Sequence, residues 1–456
     1  MEGKIVVKIG GSNLKSIDSI QKIASVIKQY DQSPVIVVSA FYGITNLLIQ
    51  VLDHALTDSD QVSAVIDEIK AKKYQAIEFY IKNNESQIQA KIEIDKLTNE
   101  LRKYIYGINY IGEIPDFLYD KILSYGERLS ACALSAIFNA LNIKSEVLLP
   151  NDLGLITNGE LANASIDFKA SELALKLPVN NDITYIIPGF YGISPEGKVN
   201  LLGRGGTDYA AASVARLIKA KSLDVWKDVD GFLSVDPNII DNPVPITHLS
   251  YSEAAELAYL GAKILHPRTV EPLIDMNIPI RIFNIEKENR SLKPLTTIDQ
   301  NISSTQRSLK SITSSDQFGI LKISGPGLGV KPGILAKITN RLYENNLNIN
   351  SIISSHIAIN LLLGNEDLKK AFALIEELNL QDIQELECIQ NFSVIALVGQ
   401  GILKNSAVVA QIFQVLTENE INIILSSLGA SDVVCYILIN KEKKDKCIKL
   451  IHQKLF

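Results

Sequence analysis

Two short stretches of this 456-residue chain combine glycines with fixed charge in the way that anion chemistry requires. In the first, Lys8-Ile9-Gly10-Gly11-Ser12, an ammonium group stands at the end of a β-branched apolar run (residues 4–9) that stops at two glycines. A strand feeding such a turn offers free backbone N–H groups, and glycine removes the side chains that would keep a phosphate away. The stretch does not match the Walker pattern G-x-x-x-x-G-K-[ST], so P-loop ATPase chemistry is not indicated. The second stretch, Gly203-Arg204-Gly205-Gly206-Thr207-Asp208, directly precedes an alanine-rich helical segment, with Thr207 in the expected N-cap place. The first turn of that helix would aim N–H groups and a positive dipole end at the loop, and Arg204 adds a planar fork suited to a carboxylate or phosphate. Glu127 and Arg128 open a further alanine-rich helix; charged neighbours of this kind are more often an ordinary exposed pair.

These groups need a scaffold, and the N-terminal pattern supplies one. Ile17, Ile20, Ile23, Ala24 and Ile27 follow helical spacing, and Pro34 precedes a second apolar run, residues 35–38, that ends in Ser39-Ala40. Strand, helix, strand implies a parallel sheet with a right-handed crossover, and ligands collect at the carboxyl ends of its strands. Residues 10–12 and 39–45 both fall at that edge. Residues 45–104 are helical in pattern, with a lysine- and glutamate-rich middle (67–103) that reads as a solvated helical hairpin without chemistry. A strand is expected at 222–226 and another at 279–285, followed by a polar, serine-rich stretch at 299–316. Two units then repeat the order β-α-β-β-α-β, over 318–378 and 392–454, a ferredoxin-like pattern.

Composition bounds the rest. The length suggests two to four domains, and 46% hydrophobic residues are ample for large cores. A net charge of −6 with scattered lysines gives no nucleic-acid footprint. Residues 1–4 run straight into a strand without a signal-peptide pattern, and no apolar run approaches ~18 residues, so no membrane partner is expected and a cytoplasmic location is. Cys132, Cys388, Cys435 and Cys447 are far apart and lie in apolar segments, which favours buried reduced thiols over a metal or disulfides; no metal-ligand set is expected.

Six motifs in order resemble those of the aspartate kinases, which belong to the amino acid kinase family: KIGGS (8–12), VVSAFYGITN (37–46), GERLSA (126–131), GFYG with LGRGGTDYAA (189–211), DVDGFLSVDP (228–237) and ELAYLGAKILHP (256–267). The resemblance implies an α/β amino acid kinase fold, a mostly parallel central sheet sandwiched by helices, followed by two ferredoxin-like ACT domains. The implied boundaries are 1–300 for the catalytic domain, 301–316 for a linker, and 317–385 and 386–456 for the ACT pair. The implied activity is ATP-dependent phosphorylation of the side-chain carboxylate of L-aspartate to 4-phospho-L-aspartate, with Mg²⁺ accompanying the nucleotide, amino-acid feedback at the ACT domains, and a homodimer or higher homo-oligomer formed through them.

Phosphorylating a carboxylate brings two anions together, so positive charge and amide donors must screen the transferring group. Carried over motif by motif, Lys8 and Asp208 take the catalytic roles, Lys8 at the phosphates and Asp208 as organiser of the cations, since an ionised carboxylate needs no general base. Ser39, Thr45, Glu127, Arg204 and Thr207 line the substrate pocket, with Arg204 on a carboxylate and Glu127 on the ammonium. Lys8, Gly10, Gly11, Ser12, Lys227, Asp228, Leu233, Asn238 and Lys263 are the nucleotide residues. Three of these depart from the family pattern: Lys227 stands where threonine is usual, Leu233 where tyrosine is common and Asn238 where arginine is common. In the first ACT unit, Asn350, Ser354, Ser355 and His356 occupy the effector segment, with Asn350 and His356 where lysine-inhibited relatives carry carboxylates. That favours a neutral effector such as threonine. Two alternatives remain: another member of the amino acid kinase family, or a catalytically weak amino-acid sensor.

Overall fold

The computed structural model describes residues 3–178, 180–261, 264–287, 292–300 and 307–456. They form two compact units, one spanning the chain to Phe232 with 245–258 and 263–302, the other 233–244, 259–262 and 303–456.

In the first unit the strands are β1 (Ile5–Ile9), β2 (Val35–Val38), β3 (Ser145–Val147), β4 (Thr184–Pro188), β5 (Tyr191–Ile193), β6 (Val199–Leu201), β7 (Ser222–Lys227), β8 (His248–Ser250), β9 (Ile280–Asn284) and β10 (Thr296–Asp299). Among the described residues, all but the β5–β6 hairpin join one sheet of order β3-β4-β2-β1-β7-β9-β10-β8, parallel except where β10 meets β9. Every residue of β2 and β4 is buried, as are all but one each of β1 and β7, which is why they read as unbroken apolar runs rather than alternating ones. The helices are α1 (Ile17–Ile27), α2 (Ile44–Thr57), α3 (Ser59–Tyr80), α4 (Asn84–Ile111), α5 (Asp116–Leu123), α6 (Tyr125–Ala140), α7 (Pro150–Leu153), α8 (Phe168–Ala174), α9 (Gly206–Leu217), α10 (Tyr251–Tyr259) and α11 (Glu271–Ile274).

The α3–α4 pair is the expected hairpin, but it is not simply a solvated one. Ile66, Ile69, Ala76, Ile77, Ala90, Ile94 and Leu101 are buried in the same core as β1, β2 and α6. Lys73 has no solvent exposure at all. One apolar stripe among many charges is enough to seat a helix, and the density of lysine and glutamate hid it.

The strands of the second unit begin with β11 (Ser311–Ser315), inside the stretch expected to be linker. Then come β12 (Phe318–Ser324), α12 (Ile334–Glu344), β13 (Ser351–Ser354), β14 (Ala358–Gly364), α13 (Leu368–Glu376), β15 (Glu385–Ile389), β16 (Phe392–Val398), α14 (Ser406–Glu418), β17 (Ile423–Ser431), β18 (Val434–Asn440) and α15 (Lys444–Leu455). They make two antiparallel sheets, β13-β14-β12-β15 and β11-β16-β18-β17. The fourth strand of the second sheet therefore precedes the whole first module. Ile312 alone gives β11 a large apolar anchor, 1% exposed, amid serines and a threonine, so the composition looked like a connector. Of the four free cysteines, Cys435 and Cys447 are buried as expected and Cys132 partly so, but Cys388 on β15 is exposed.

Candidate active site

Parallel neighbours β1, β2, β4 and β7 bring their carboxyl ends to one edge of the sheet. Lys8 lies on β1 with its Nζ 2.6 Å from Asp208 Oδ1, while Lys227, the last residue of β7, has its Nζ 3.7 Å from Oδ2. Lys8 and Asp208 are buried. Burial works to raise the Asp208 carboxyl, but the charges of Lys8 and Lys227 outweigh it and hold the group below the ordinary aspartate range. Lys227 is lowered by burial and then by Lys8, with Asp208 opposing. Two lysines thus flank one carboxylate, and the cluster carries one surplus positive charge when both are protonated.

The glycine turn beside it is tightly placed. A Cβ on Gly10 would stand 3.1 Å from Lys8 Nζ, and one on Gly11 would stand 3.0 Å from the Ala40 carbonyl oxygen. Asn13 fastens the turn to β7 by donating from Nδ2 to the Trp226 carbonyl at 2.7 Å. Ser12 Oγ donates to Asp228 Oδ1 at 3.2 Å, and Lys15 reaches the other oxygen at 3.4 Å. Gly10, Gly11, Ser12, Lys8, Lys227 and Asp228 are therefore together at one place.

The arginine loop differs from expectation in one detail. The N-cap of α9 is Gly205, at φ +72°, and Thr207 lies in the first turn instead. A side chain at 205 would fall 2.2 Å from the His266 ring, so only glycine allows both the left-handed turn and that contact. Thr207 is buried, its Cγ2 in the space left by Gly189, where a Cβ would be 2.6 Å away. Arg268 anchors the loop, donating to the carbonyls of Leu202 and Ala164 at 2.7 Å each, with its guanidinium 4.1 Å from the Tyr209 ring centroid. Arg204 itself is exposed.

Glu127 sits in the first turn of α6 and is buried, 4% exposed. Gly126 makes this possible, because a Cβ there would meet the Ala40 Cβ at 2.9 Å. Glu127 accepts from the Ala40 N–H, yet its Oε2 is buried without a hydrogen-bond partner. Burial pushes its carboxyl up to about 8, against the backbone bonds and the charge of Lys73. Ala40 thus borders Glu127 through its N–H and the glycine turn through its carbonyl. Ser39 and Thr45, both half-buried, flank it in sequence.

Other assignments scatter. Lys263 lies outside the described residues. Leu233 and Asn238 belong to the second unit, where the Leu233 carbonyl accepts from Ser311 Oγ and Asn238 donates from its N–H and Nδ2 to Asp236 Oδ1. Asn350 donates to the Tyr259 hydroxyl, whereas Ser354, Ser355 and His356 are exposed at the β13–β14 turn. All four residues of β13 lie between Asn350 and His356, a rise of roughly 13 Å, so one small effector does not bridge them.

Sequence reasoning missed His266, Arg268 and Lys73. His266, whose pKa is lowered by burial against the pull of Asp208, was in view within the ELAYLGAKILHP motif, and Arg268 follows that motif by one residue. Lys73 gave no signal, being one of three lysines in Lys70-Ala71-Lys72-Lys73.

Known proteins share this architecture. The model of the amino acid kinase family matches residues 3–284, and ACT domain models match 313–377 and 395–455. The chloroplastic aspartokinase 2 of Arabidopsis thaliana is 28% identical over 468 residues, covering 99% of this chain and 84% of that one. Aspartokinase III of E. coli, solved with aspartate and ADP, superposes with a TM-score of 0.83 at 23% identity, covering 99% of this chain and 100% of that one. The Clostridium acetobutylicum aspartate kinase gives 0.78 at 25% identity, again over 99% of this chain and 100% of its own. With the family model spanning more than half its length, the chain belongs to the amino acid kinase family.

Proposed function

We infer that the protein is an aspartate kinase, transferring the γ-phosphoryl group of ATP to the side-chain carboxylate of L-aspartate to give 4-phospho-L-aspartate, under control of its paired ACT domains. The observation that carries this is a pocket edge with two opposite poles: the Lys8–Asp208–Lys227 cluster with its surplus positive charge, and the buried Glu127 with an unpaired oxygen. The positive cluster suits a phosphoryl group and Glu127 an ammonium group, a pairing that fits phosphorylation of an amino acid, and the aspartokinase relatives match over 99% of the chain.

In this reading the γ-phosphate rests on the Gly10 and Gly11 amides and on Lys8, whose charge meets the negative charge that builds up on the transferring group. Asp208 holds Lys8 and Lys227 in place, so little reorganisation is needed when that charge develops. Arg204 takes a substrate carboxylate and Glu127 its ammonium, while Ser39, Thr45 and Thr207 shape the space between. The β-carboxylate oxygen attacks phosphorus, the bond to the ADP oxygen breaks, and no proton need move. The turn fits a nucleotide, since the close approaches at Gly10 and Gly11 leave its amides uncovered by side chains. Mg²⁺ would arrive with ATP and neutralise phosphate oxygens. Among the described residues no three His, Cys, Asp or Glu side chains gather to hold a metal on their own. Lys227 in place of threonine adds a cation at the phosphates, and Asp228 and Lys263 are assigned to the rest of the nucleotide. Residues 1–300 are the catalytic domain in this proposal and 317–456 the regulatory pair, acting in an oligomer.

Incubation with ATP, Mg²⁺ and L-aspartate in the presence of hydroxylamine should yield the aspartyl hydroxamate. No hydroxamate above the no-enzyme control, with amino-acid binding retained, would instead favour the sensor reading; hydroxamate from glutamate or acetylglutamate alone would favour another family member.

A further inference from the structure

A lysine buried beneath the substrate pocket has no place in the mechanism so far. Lys73 projects from the middle of α3 and has 0% exposure, which is rare for an ammonium group unless something holds it. Its Nζ donates to Ser130 Oγ at 3.0 Å and stands 3.2 Å from the centroid of the Phe41 ring; burial pulls its pKa well below the ordinary lysine value, and the charge of Glu127 and the ring face work against that pull. Ser130 in turn accepts from the Phe41 N–H at 3.0 Å and donates to the Gly126 carbonyl at 2.8 Å. Lys73 therefore sits at the junction of the two segments that form the ammonium pole, residues 40–41 and the first turn of α6. Glu127 feels its charge without an ion pair between them, and Oε2 remains uncommitted.

We propose that Lys73 is a positioning residue of the substrate pocket: it joins Phe41 to Ser130 and supplies a counter-charge that favours the ionised, binding form of Glu127. The proposal rests on the reading of Glu127 as partner of the substrate ammonium. A buried carboxylate without any cation takes up a proton, and a protonated Glu127 must lose it again before it can pair with an ammonium group. Lys73 lessens that cost. The remaining groups around the pair are Lys72, itself paired with Glu68, and Cys132 and Tyr191, whose burial raises both and keeps them neutral across the working range. With Glu127 near 8 in the free protein, affinity for aspartate rises with pH through that region, because deprotonation favours the binding form.

The test is the KM for aspartate of the full-length enzyme between pH 6.5 and 9.0. K73M should raise it about tenfold at pH 7, one unit of displacement in the Glu127 titration, with the deficit shrinking towards pH 9 and kcat changing less than KM. K73R should restore the wild-type profile. Should K73M fail to fold, K73Q, which can still bond Ser130 but carries no charge, should give the same displaced profile. A deficit independent of pH, or an unmoved profile in both uncharged variants, overturns the proposal. E127Q separates the two layers. If its KM for aspartate stays within twofold of wild type, the underlying reading of Glu127 falls; if E127Q is severely impaired while K73M is not, only the role of Lys73 falls.

Discussion

At the scale of single residues, charge placement explains the pocket. In the proposed mechanism Lys8 meets the negative charge that accumulates during transfer, so K8M should cost at least ~10³-fold in kcat while aspartate binding by calorimetry stays within a few-fold of wild type. A wild-type-like kcat would break the phosphate-turn assignment. Arg204 is exposed, so in the proposed clamp its guanidinium would give up some hydration and the net gain would be that of a charge-assisted pair rather than of a dry one. R204A should raise the KM for aspartate and lower kcat/KM on the order of 10- to 100-fold, with the ATP dependence little changed; an unaltered aspartate dependence would remove Arg204 from the clamp. Lys8, the glycines and Arg204 were legible in the chain because each stands inside a short motif whose physical purpose can be stated. Lys73 was not, since nothing in Lys70-Ala71-Lys72-Lys73 says which ammonium turns inward; that depends on the packing of α3 against α6 and the 40–41 segment.

At the scale of elements, glycine decides how closely helices approach the sheet edge. In an ordinary helix a glycine-to-alanine change stabilises by about 1 kcal/mol. Gly126 reverses that sign, because the added methyl would meet the Ala40 Cβ at 2.9 Å and Leu48 Cδ1 at 3.4 Å, and the Ala40 backbone cannot swing aside without disturbing the Glu127 and Gly11 contacts. G126A should destabilise by roughly 1–3 kcal/mol in chemical denaturation and raise the KM for aspartate. A melting temperature above wild type would show that α6 has room to move. The parallel strands were readable from their unbroken apolar runs, and helix α9 from its glycine loop. Its cap was misplaced by two residues, because a threonine in the first turn mimics an N-cap while the contact between Gly205 and His266 is invisible along the chain.

At the scale of the whole molecule, the regulatory third sets what the enzyme responds to. Asn350 offers no carboxylate to a second ammonium group, and taking such a cation out of water without an anionic partner is costly. Titration of activity should therefore show inhibition by threonine or only weak feedback, and little by lysine. Aspartokinase III of E. coli has been solved with lysine and aspartate, which makes lysine the informative comparison: inhibition of this protein by micromolar lysine, without threonine, would refute the neutral-effector reading.

The path of the chain through its second unit has one more consequence. The polypeptide leaves one sheet at Ser315 and re-enters it on the adjacent strand, where Ser315 faces Val394. Between those points lies a complete module whose own first and last strands are also neighbours, with Ile320 facing Ile389. An excursion that starts and finishes at one spot is topologically a cassette. Asp316 would guard the seam, since it accepts from Ser393 Oγ at 2.6 Å and from Lys444 at 2.8 Å. Replacing residues 317–390 by a two-residue turn should leave a ribbon of β11 and β16 that still closes its sheet, whereas a fragment cut at 386, lacking β11, would expose the flank of β16 and self-associate. Size-exclusion chromatography of the two products distinguishes these fates. It also suggests how an effector preference could be exchanged between enzymes: by transplanting the cassette as one piece, with the catalytic sequence untouched.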